Sequence, residues 1–420
     1  MRIVADLHVH SKYSRATSPE MDAPGIARWA KTKGIGLVGT GDFTHPQYLS
    51  ELKRNLRPLG NGLFEFDGVK FILSAEVSNI FQHNGLKKTH HVILAPGFEE
   101  VEQLNSVLGG WGNLAADGRP TFGSRSASEL VETVMEVSKD FFIIPAHIWT
   151  PWFSIFGANS GFDSMKECYG GMEKHIHALE TGLSSDPGMN WRLSALDKYS
   201  LVSNSDAHSP AKLGREANVF EFEEVSYREL TETLKKKDPK KFLLTYEFYP
   251  EEGKYHFDGH RSCSIRLSPE EAKKLKNRCP VCRKELTIGV MHRVDELADR
   301  APGFVPKNSI PFENLVPLSE ILSGAIGKGT GTKKVDEEYW KLIKKFGNEL
   351  AVLHADEKAI EELSGERIAR GIVNVRTGKV RVLPGYDGVY GEVDVFGNES
   401  KGRGKKEETD AKQSSLGDFG

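Results

Sequence analysis

His8 and His10, two residues apart near the start of the chain, are the first side chains whose spacing suggests metal chemistry. They follow residues 2–5, a short apolar run that favours a β-strand. Side chains two apart on an extended strand point to the same side, so the two imidazoles are expected to lie together at the strand's end. Imidazole nitrogens are common metal ligands, and this pair therefore predicts one part of a metal site.

Other histidines and carboxylates come directly after later apolar runs. Parallel strands bring the residues at their carboxyl ends to one mouth of an α/β fold, so these side chains are expected to converge. Imidazoles mixed with carboxylates suit Zn²⁺ or another divalent ion such as Mn²⁺, Fe²⁺ or Mg²⁺, and so large a set predicts two or three ions that share carboxylates. The predicted ligands are His8, His10, Asp42, Glu76, His91, His147, Asp206 and His208.

The elements that hold these residues alternate between short strands and amphipathic helices. This alternation is typical of a parallel α/β architecture and predicts an irregular (βα)₇ barrel over residues 1–245. One helix is expected to begin at Ser126 or Ser128, since either is a suitable N-cap. The predicted strands cover residues 2–5, 35–38, 69–73, 90–94, 141–144, 177–180 and 201–202.

The composition is that of a soluble globular protein, with 38% hydrophobic and 27% charged residues. No stretch is apolar enough to cross a bilayer and the N-terminus lacks the features of a secretory signal, which predicts a cytoplasmic protein without membrane contact. The net charge of −3 neither favours nor excludes nucleic acid. A carboxylate-rich metal site hides positive charge that appears only with its ions.

Two close pairs of potential ligands, His260 with Cys263 and Cys279 with Cys282, form an H-x-x-C followed by a C-x-x-C. Clustered cysteines in a reducing compartment indicate metal rather than disulfides, and this spacing predicts one tetrahedral structural Zn²⁺. His256 is an alternative fourth ligand. The basic residues expected to extend a DNA-binding surface around this zinc are Arg261, Arg278, Arg283 and Lys284.

Beyond the barrel, three further regions are predicted. Residues 246–300 form the zinc-binding module, and residues 301–396 form an α+β region that is helix-rich first and then β. Residues 397–420 are rich in Gly, Lys, Glu and Ser, which predicts a disordered tail. Cys168 stands apart from the cysteine pairs and is expected to be a buried apolar residue.

With these residues assembled, the chain resembles the PHP superfamily (polymerase and histidinol phosphatase). The resemblance rests on residues 6–11 (DLHVHS), 39–45 (GTGDFTH), 74–78 (SAEVS), 89–95 (THHVILA) and 205–208 (SDAH). It implies an irregular (βα)₇ barrel with a multinuclear metal centre that hydrolyses phosphoesters. Ions paired in this way hold a phosphate and activate water, and His8 and Asp206 are the predicted catalytic ligands.

The chain departs from the family pattern at two places. Phe43 follows Asp42 where the family commonly has histidine, and His45 is the candidate replacement ligand. Arg15 stands where an acidic or histidine ligand is common, which predicts either that one metal position is weaker or that Arg15 contacts the scissile phosphate. Glu180, at another strand end, is predicted to support the metal site or to form a salt bridge.

The stretches GHRSC, CPVC, HRVDELADR and PGYDGVYGEV extend the resemblance to the endonuclease Q family over nearly the whole chain. The resemblance implies a nucleoid-associated DNA repair endonuclease that cuts on the 5′ side of hypoxanthine, uracil, xanthine or an abasic site. Such an enzyme flips the damaged nucleotide out of the helix. The residues predicted to receive the base or the DNA are Trp149, Trp152, Phe153, Phe156, Ser78, Asn79 and Tyr169, and core packing is the alternative for each aromatic.

The last residues of the tail resemble the peptide by which DNA enzymes bind the sliding clamp, PCNA. Gln413, Leu416 and Phe419 are the predicted anchors, although the usual second aromatic residue is missing. A monomer is expected. The alternatives are a histidinol-phosphatase-like enzyme that acts on small molecules, and a DNA-binding scaffold that has no catalytic activity.

Overall fold

A mixed β-sheet forms the centre of the fold in the computed structural model, which describes residues 1–397. The strands of this described part are β1 (Arg2–Asp6), β2 (Leu37–Gly39), β3 (Arg57–Pro58), β4 (Phe64–Phe66), β5 (Val69–Gln82), β6 (Leu86–Ala95), β7 (Thr121–Gly123), β8 (Phe142–Pro145), β9 (Ala178–Glu180), β10 (Ser200–Val202), β11 (Ala217–Glu221), β12 (Phe242–Glu247), β13 (Asp258–His260), β14 (Ile265–Leu267), β15 (Phe312–Asn314), β16 (Arg381–Leu383) and β17 (Glu392–Asp394).

Helices cover the sheet and build most of the C-terminal part. They are α1 (Ala23–Lys33), α2 (Pro46–Asn55), α3 (Phe98–Leu108), α4 (Ala127–Val137), α5 (Met165–Tyr169), α6 (Pro187–Asn190), α7 (Tyr227–Lys236), α8 (Pro269–Lys274), α9 (Val290–Leu297), α10 (Leu318–Ile326), α11 (Lys333–Phe346), α12 (Glu349–Leu353), α13 (Glu357–Ser364) and α14 (Glu366–Arg376). Within residues 1–397, no helix combines the length and the apolar character needed to cross a bilayer.

The strand pairings confirm a mixed α/β fold but differ from the parallel arrangement that the sequence predicted. The order is β15-β12-β11-β1-β2-β5-β4-β3, with β6 paired to β5 and β8 paired to β6. Strands β1, β2 and β5 run parallel, whereas β11 pairs antiparallel with β1 and β12, and β6 pairs antiparallel with β5 and β8. Strands β9 and β10 form a separate parallel pair. The predicted (βα)₇ barrel is therefore not confirmed.

A tight hairpin explains the main difference. Asn84 and Gly85, between β5 and β6, both have positive φ, at 48° and 112°. Three residues, 83–85, connect the last paired residues, Gln82 and Leu86. Short hairpin loops of this length need left-handed backbone, which Asn and Gly adopt more readily than other residues. The turn folds residues 69–82 and 86–95 onto each other as one long antiparallel pair. The Asn-Gly signal is present in the sequence, but the prediction treated the two runs as separate parallel strands.

Both faces of the sheet are buried. Along β6, Val92 and Leu94 belong to one apolar cluster with Ile72 of β5, while Ile93 belongs to a second, larger cluster. This alternation follows from the two-residue period of a strand. Because the register is set by burial on both faces, each side chain that leaves a strand end has a defined direction.

The observed helix caps agree with the residues that the sequence suggested. Asp22 caps α1, and Gly34 ends it with φ of 91°. Ser126 is the N-cap of α4, in a capping box with Glu129, which decides between the two serine candidates.

The C-terminal region contributes to the main sheet as well as forming its own helices. Strand β15 pairs in parallel with β12, and a buried ion pair of 2.5 Å joins Lys33 of α1 to Glu349 of α12. In the region predicted to be helix-rich first and then β, α14 continues to Arg376, and the antiparallel pair of β16 and β17 follows. The predicted clamp-binding residues Gln413, Leu416 and Phe419 lie outside the described residues.

Candidate metal centre

His8 and His10 leave the end of β1 side by side and are buried. Their ring centroids lie 5.4 Å apart. The segment that contains Asp206 and His208 lies beside them, because Val9 forms a parallel bridge with Ala207. Residues 8–10 and 206–208 thus meet through the backbone, as predicted from their positions at strand ends.

Carboxylates orient both rings. His8 Nδ1 lies 3.0 Å from Glu180 Oε1, and His10 Nδ1 lies 3.0 Å from Asp42 Oδ1. A metal-binding histidine usually donates its other ring N–H to such a partner, which leaves Nε2 for the ion. Asp42 Oδ2 also accepts hydrogen bonds of 2.6 Å from the Ser11 backbone and hydroxyl. In the structure Asp42 therefore orients a histidine, although the sequence predicted it as a ligand.

Glu76 lies at the centre of the site and faces two groups of histidines. Its Oε2 is 3.2 Å from His10 Nε2 and 3.7 Å from His8 Nε2. Its Oε1 is 2.7 Å from His90 Nδ1 and 3.0 Å from His147 Nε2. A carboxylate with one oxygen in each group is arranged to bridge two cations.

Asp206 completes the first group. Its Oδ1 lies 3.1 Å from His10 Nε2 and 3.8 Å from His8 Nε2. The donor atoms within 4.8 Å of one another form three overlapping sets, namely His8, His10 and Glu76; His10, Asp206 and His208; and Glu76, His90 and His147.

His90, not His91, faces this centre. Strand neighbours point to opposite sides, and on β6 it is His90 that shares the face of Glu76, since Ser78 pairs with His90 while Val77 pairs with His91. His91 instead points away, with its Nε2 2.7 Å from the Tyr169 hydroxyl. The sequence predicted His91 because it could not establish which of two adjacent histidines faced inward.

Two further predicted residues lie outside the donor sets. His45 is the N-cap of α2, where its Nδ1 accepts from the Tyr48 backbone at 3.4 Å. Arg15 is exposed, and its backbone N–H donates to Asp117. A different arginine, Arg119, reaches the centre, with Nη1 3.2 Å from Glu76 Oε2. No feature of the sequence distinguished Arg119 from other loop arginines.

The electrostatics are those of a cation site. Burial opposes charge on His8, but the Glu180 and Glu76 carboxylates outweigh it and raise the pKa of His8 well above its usual value. Burial also opposes charge on Glu76, yet His90 and Arg119 hold the pKa of that carboxyl well below its usual value. Burial raises the pKa of Asp206, but the nearby histidines, His10 above all, outweigh it and hold that pKa well below its usual value.

Three potential ligand atoms at the centre are buried and, despite their short mutual distances, form no hydrogen bond of suitable geometry within residues 1–397. They are His8 Nε2, His10 Nε2 and Asp206 Oδ1. Unsatisfied buried polar atoms are costly, and three of them so close together fit a bound cation that satisfies all three. His147, Asp42 and Asp206 also adopt positive φ, a strained backbone conformation that is common at functional sites.

The second cluster agrees with its prediction in all four residues. Donor atoms of His260, Cys263, Cys279 and Cys282 lie within 4.8 Å of one another. The pair of His260 and Cys263 comes from the β13–β14 hairpin. The alternative ligand His256 is buried and outside this group.

Most residues predicted to contact a base are buried. Trp149 packs on Phe156 with ring centroids 5.0 Å apart, and its Nε1 donates to Asn190 at 2.8 Å. Tyr169 is also buried, as expected for core packing. Asn79 and its neighbour Ser78 are buried, and Asn79 Nδ2 donates to the Arg125 carbonyl. Apart from Ser78 and Asn79, these residues illustrate the packing alternative left open by the sequence.

Two of the predicted aromatics remain accessible beside the metal centre. Trp152 is 43% exposed and meets the ring of Tyr255 edge-on at 5.6 Å. Phe153 is half-buried, 4.7 Å from the His90 ring, and Lys88 Nζ lies 5.0 Å from its centroid.

Comparisons with known proteins cover different parts of the chain. Residues 317–379 match the family model of the MJ0043 C-terminal domain. The uncharacterized protein MJ0043 of Methanocaldococcus jannaschii is 37% identical over 258 residues, which are 58% of this chain and 31% of that protein. The chain thus spans about a third of the length of that relative. The uncharacterized protein YqxK of Bacillus subtilis is 29% identical over 413 residues, 93% of this chain and 99% of YqxK.

Solved structures are similar over almost the whole length. The lesion-specific endonuclease PfuEndoQ from Pyrococcus furiosus has a TM-score of 0.85 at 36% identity, covering 94% of this chain and 95% of that chain. Endonuclease Q in complex with a 27-mer duplex that has an abasic lesion at the active site has a TM-score of 0.82 at 35% identity, covering 94% and 96%. By this identity and coverage, the chain belongs to the endonuclease Q family.

Proposed function

We propose that the protein is a DNA repair endonuclease that cuts the phosphodiester on the 5′ side of a deaminated base or an abasic site. The observation that carries the proposal is the buried set of imidazoles and carboxylates around Glu76, found in a chain of the endonuclease Q family. The related complex with a lesion-bearing duplex supports DNA as the substrate. Hypoxanthine, uracil and xanthine as lesions, and a PHP-type catalytic domain, remain part of the proposal.

The residues fit two or three divalent ions. The donor sets that would hold them are His8, His10 and Glu76; Glu76, His90 and His147; and His10, Asp206 and His208. Nitrogen and carboxylate donors suit Zn²⁺ or Mn²⁺, and Mg²⁺ is an alternative. Bound ions would act as Lewis acids on the scissile phosphate and make a water more acidic.

The chain's own residues hold this site in one geometry. Glu180 accepts from His8 and from the Asn204 side chain, at 3.0 and 2.8 Å, and also from the His147 backbone N–H at 2.9 Å. One buried carboxylate therefore orients one histidine ring and fixes the backbone of another. Asp42 likewise orients the ring of His10 through Nδ1. Removal of either carboxylate is expected to weaken ion binding without removing a donor atom.

Accessible aromatics support the base-flipping part of the proposal. Phe153 lies against His90, and Trp152 precedes it in the chain, so a nucleotide taken out of the duplex near the metal centre would meet their rings. Trp152 also touches Tyr255, in the segment that leads to the cysteine cluster. The DNA would then extend from the metal centre toward the exposed basic residues Arg261, Arg278, Arg283 and Lys284.

The cysteine cluster is proposed to hold one structural Zn²⁺. Three sulfurs and one imidazole nitrogen match its tetrahedral preference. Asp387 braces the segment from outside, since its carboxylate accepts from the Arg261 backbone and the Thr287 hydroxyl, each at 2.6 Å. The remaining proposals rest on the sequence alone: a monomer in the cytoplasm that binds PCNA through its last eight residues.

One assay tests the cleavage proposal. End-labelled duplexes with hypoxanthine, uracil, an abasic site or no lesion are incubated with the metal-loaded protein, and p-nitrophenyl phosphate serves as the small-molecule substrate. We expect a nick 5′ to each lesion and none in the intact duplex. Hydrolysis of p-nitrophenyl phosphate without nicking would favour the phosphatase alternative, and DNA binding without hydrolysis would favour the scaffold.

A truncation tests the clamp proposal. The protein lacking residues 413–420 is expected to nick damaged DNA at the full-length rate and to lose association with the clamp in size-exclusion chromatography. Clamp binding that survives the truncation would assign the contact to another segment.

A further inference from the structure

Arg119 occupies a position at the metal centre that the sequence did not single out. It lies in the segment of residues 109–120, between α3 and β7, and its side chain points into the metal centre. Nη1 lies 3.2 Å from Glu76 Oε2, the oxygen that faces His8 and His10. The side chain is largely buried but keeps 22% of its surface exposed, so it stands at the mouth of the site rather than beneath it.

The backbone on both sides of Arg119 is held by elements that build the site. The Gly118 N–H donates to the Tyr13 carbonyl, and the Thr44 hydroxyl donates to the Gly118 carbonyl. The Pro120 carbonyl accepts from Ser78 at 2.9 Å. Because Tyr13, Thr44 and Ser78 follow β1, β2 and Glu76, the arginine is positioned by the same strand ends as the donor atoms.

Gly118 shows how closely this segment approaches the centre. A Cβ at that position would lie 2.3 Å from Asp42 Oδ2 and 2.4 Å from Ser14 Oγ. Any side chain there would push the segment away from Asp42. The absence of a side chain at residue 118 lets the backbone pass directly over the carboxylate that orients His10.

Arg119 adds a positive charge beside a carboxylate that already faces imidazoles. Glu76 has four histidine nitrogens around its two oxygens. Cations bound at the same carboxylate would repel Arg119, and an anion that joined them would offset that repulsion. A phosphodiester supplies that anion, and a planar guanidinium matches the oxygens of a phosphate.

We infer that Arg119 is a catalytic residue that binds a nonbridging oxygen of the scissile phosphate. The inference rests on the proposed nuclease function. In the hydrolysis, the oxygen of one water forms a bond to phosphorus and the bond from phosphorus to the 3′ oxygen breaks. One water proton is transferred, through solvent, to the departing 3′ oxygen. Arg119 keeps its own protons throughout and stabilises the negative charge on the nonbridging oxygens.

Arg15 provides the matched control. The sequence predicted Arg15 for the same role, but Arg15 is exposed, and its recorded hydrogen bond is from its backbone N–H to Asp117. Arg119→Gln and Arg15→Gln remove the same charge from the same chain. In single-turnover nicking of an abasic duplex, Arg119→Gln is expected to lose about 10²–10³-fold, whereas Arg15→Gln stays within about threefold. Free guanidinium is expected to restore part of the rate to Arg119→Ala.

Two measurements distinguish whether Arg119 contacts the phosphate or only holds Glu76 in position. Metal content is expected to be equal in wild type and Arg119→Gln, and inorganic phosphate is expected to bind the metal-loaded wild type at least about tenfold more tightly than the variant. Wild-type nicking by Arg119→Gln, equal phosphate affinity, or loss of a metal ion in the variant would each overturn the inference. Phosphate binding can be measured even if the wild type nicks no DNA. Failure of the nuclease proposal can therefore be distinguished from failure of the inference about Arg119.

Discussion

The metal centre and the cysteine cluster are two donor sets built in opposite ways. The cysteine cluster comes from residues 260–282, a hairpin and a short turn, and parts of it are exposed. The donors of the metal centre come from residues 8–208 and are mostly buried under loops that follow several strands. The first is a local motif, and the second exists only when distant strands are paired.

This difference explains how well the sequence predicted which residues lie together. In the local cluster, the structure brings together all four residues singled out by spacing, His260, Cys263, Cys279 and Cys282. In the distributed centre it brings six of the predicted eight together, whereas His91 points away and Asp42 orients His10. A short loop determines the direction of its own side chains, whereas a strand depends on its partners for register.

The largest expected effect comes from the shared carboxylates of the metal centre. Asp206→Ala is expected to lower single-turnover nicking of an abasic duplex by about 10³-fold or more, because it removes a donor and the charge that balances the ions. Circular dichroism and the melting temperature check that the fold persists. Nicking at the wild-type rate by a folded Asp206→Ala protein would remove the distributed centre from catalysis.

A pair of neighbouring histidines tests whether register decides the donor. His90→Ala is expected to lose about one bound ion per chain and at least about tenfold in nicking rate. His91→Ala is expected to keep its ions and to lose mainly stability, since it packs against Tyr169. Metal content by mass spectrometry decides between the two. The reverse pattern would mean that β6 pairs in another register.

The local cluster is expected to affect stability more than chemistry. Cys279→Ser should cost one zinc per chain and on the order of a few kcal/mol of unfolding free energy, because metal binding and folding of such a small segment are linked. Cys168→Ser removes a buried thiol far from the motif in sequence and serves as the control for zinc content. Full zinc content in Cys279→Ser would show that the four residues do not act as one site.

The smallest expected effect on activity concerns a buried carboxylate outside both clusters, where only stability is expected to change. Burial raises the pKa of Glu247 to about 8, while Thr181 and Thr245 hydroxyls donate to it. The folded state then binds a proton that the unfolded state has released above its pKa of about 4.3. Stability should fall as pH rises from about 5 to about 8, by up to about 1.4 kcal/mol per pH unit.

Glu247→Gln cannot release that proton, so its stability should depend less on pH over the same range. Urea unfolding of wild type and variant at several pH values measures the difference. Equal slopes would show that Glu247 is charged in the folded protein, as Glu76 is when histidines and Arg119 surround it.

The class of the fold was predictable from the sequence, but the predicted strand directions were wrong. Apolar runs and caps identified most helices, including α4 with its N-cap at Ser126. The hairpin at Asn84 and Gly85 carried a known turn signal and could have been predicted. The antiparallel pairing of β11 with β1 could not have been predicted, because those strands lie about two hundred residues apart and pair only in the assembled sheet.

By itself, the sequence determined the chemistry that is available. It places imidazoles and carboxylates at strand ends, and it contains a cysteine motif whose spacing predicts how its side chains are arranged. Only the tertiary structure decided that His90 faces Glu76, that Asp42 and Glu180 orient rather than bind, and that Arg119 replaces Arg15 at the mouth. The physical reason is that a side chain's direction on a strand, or on a loop laid across strands, depends on pairing and packing with residues far away in the chain.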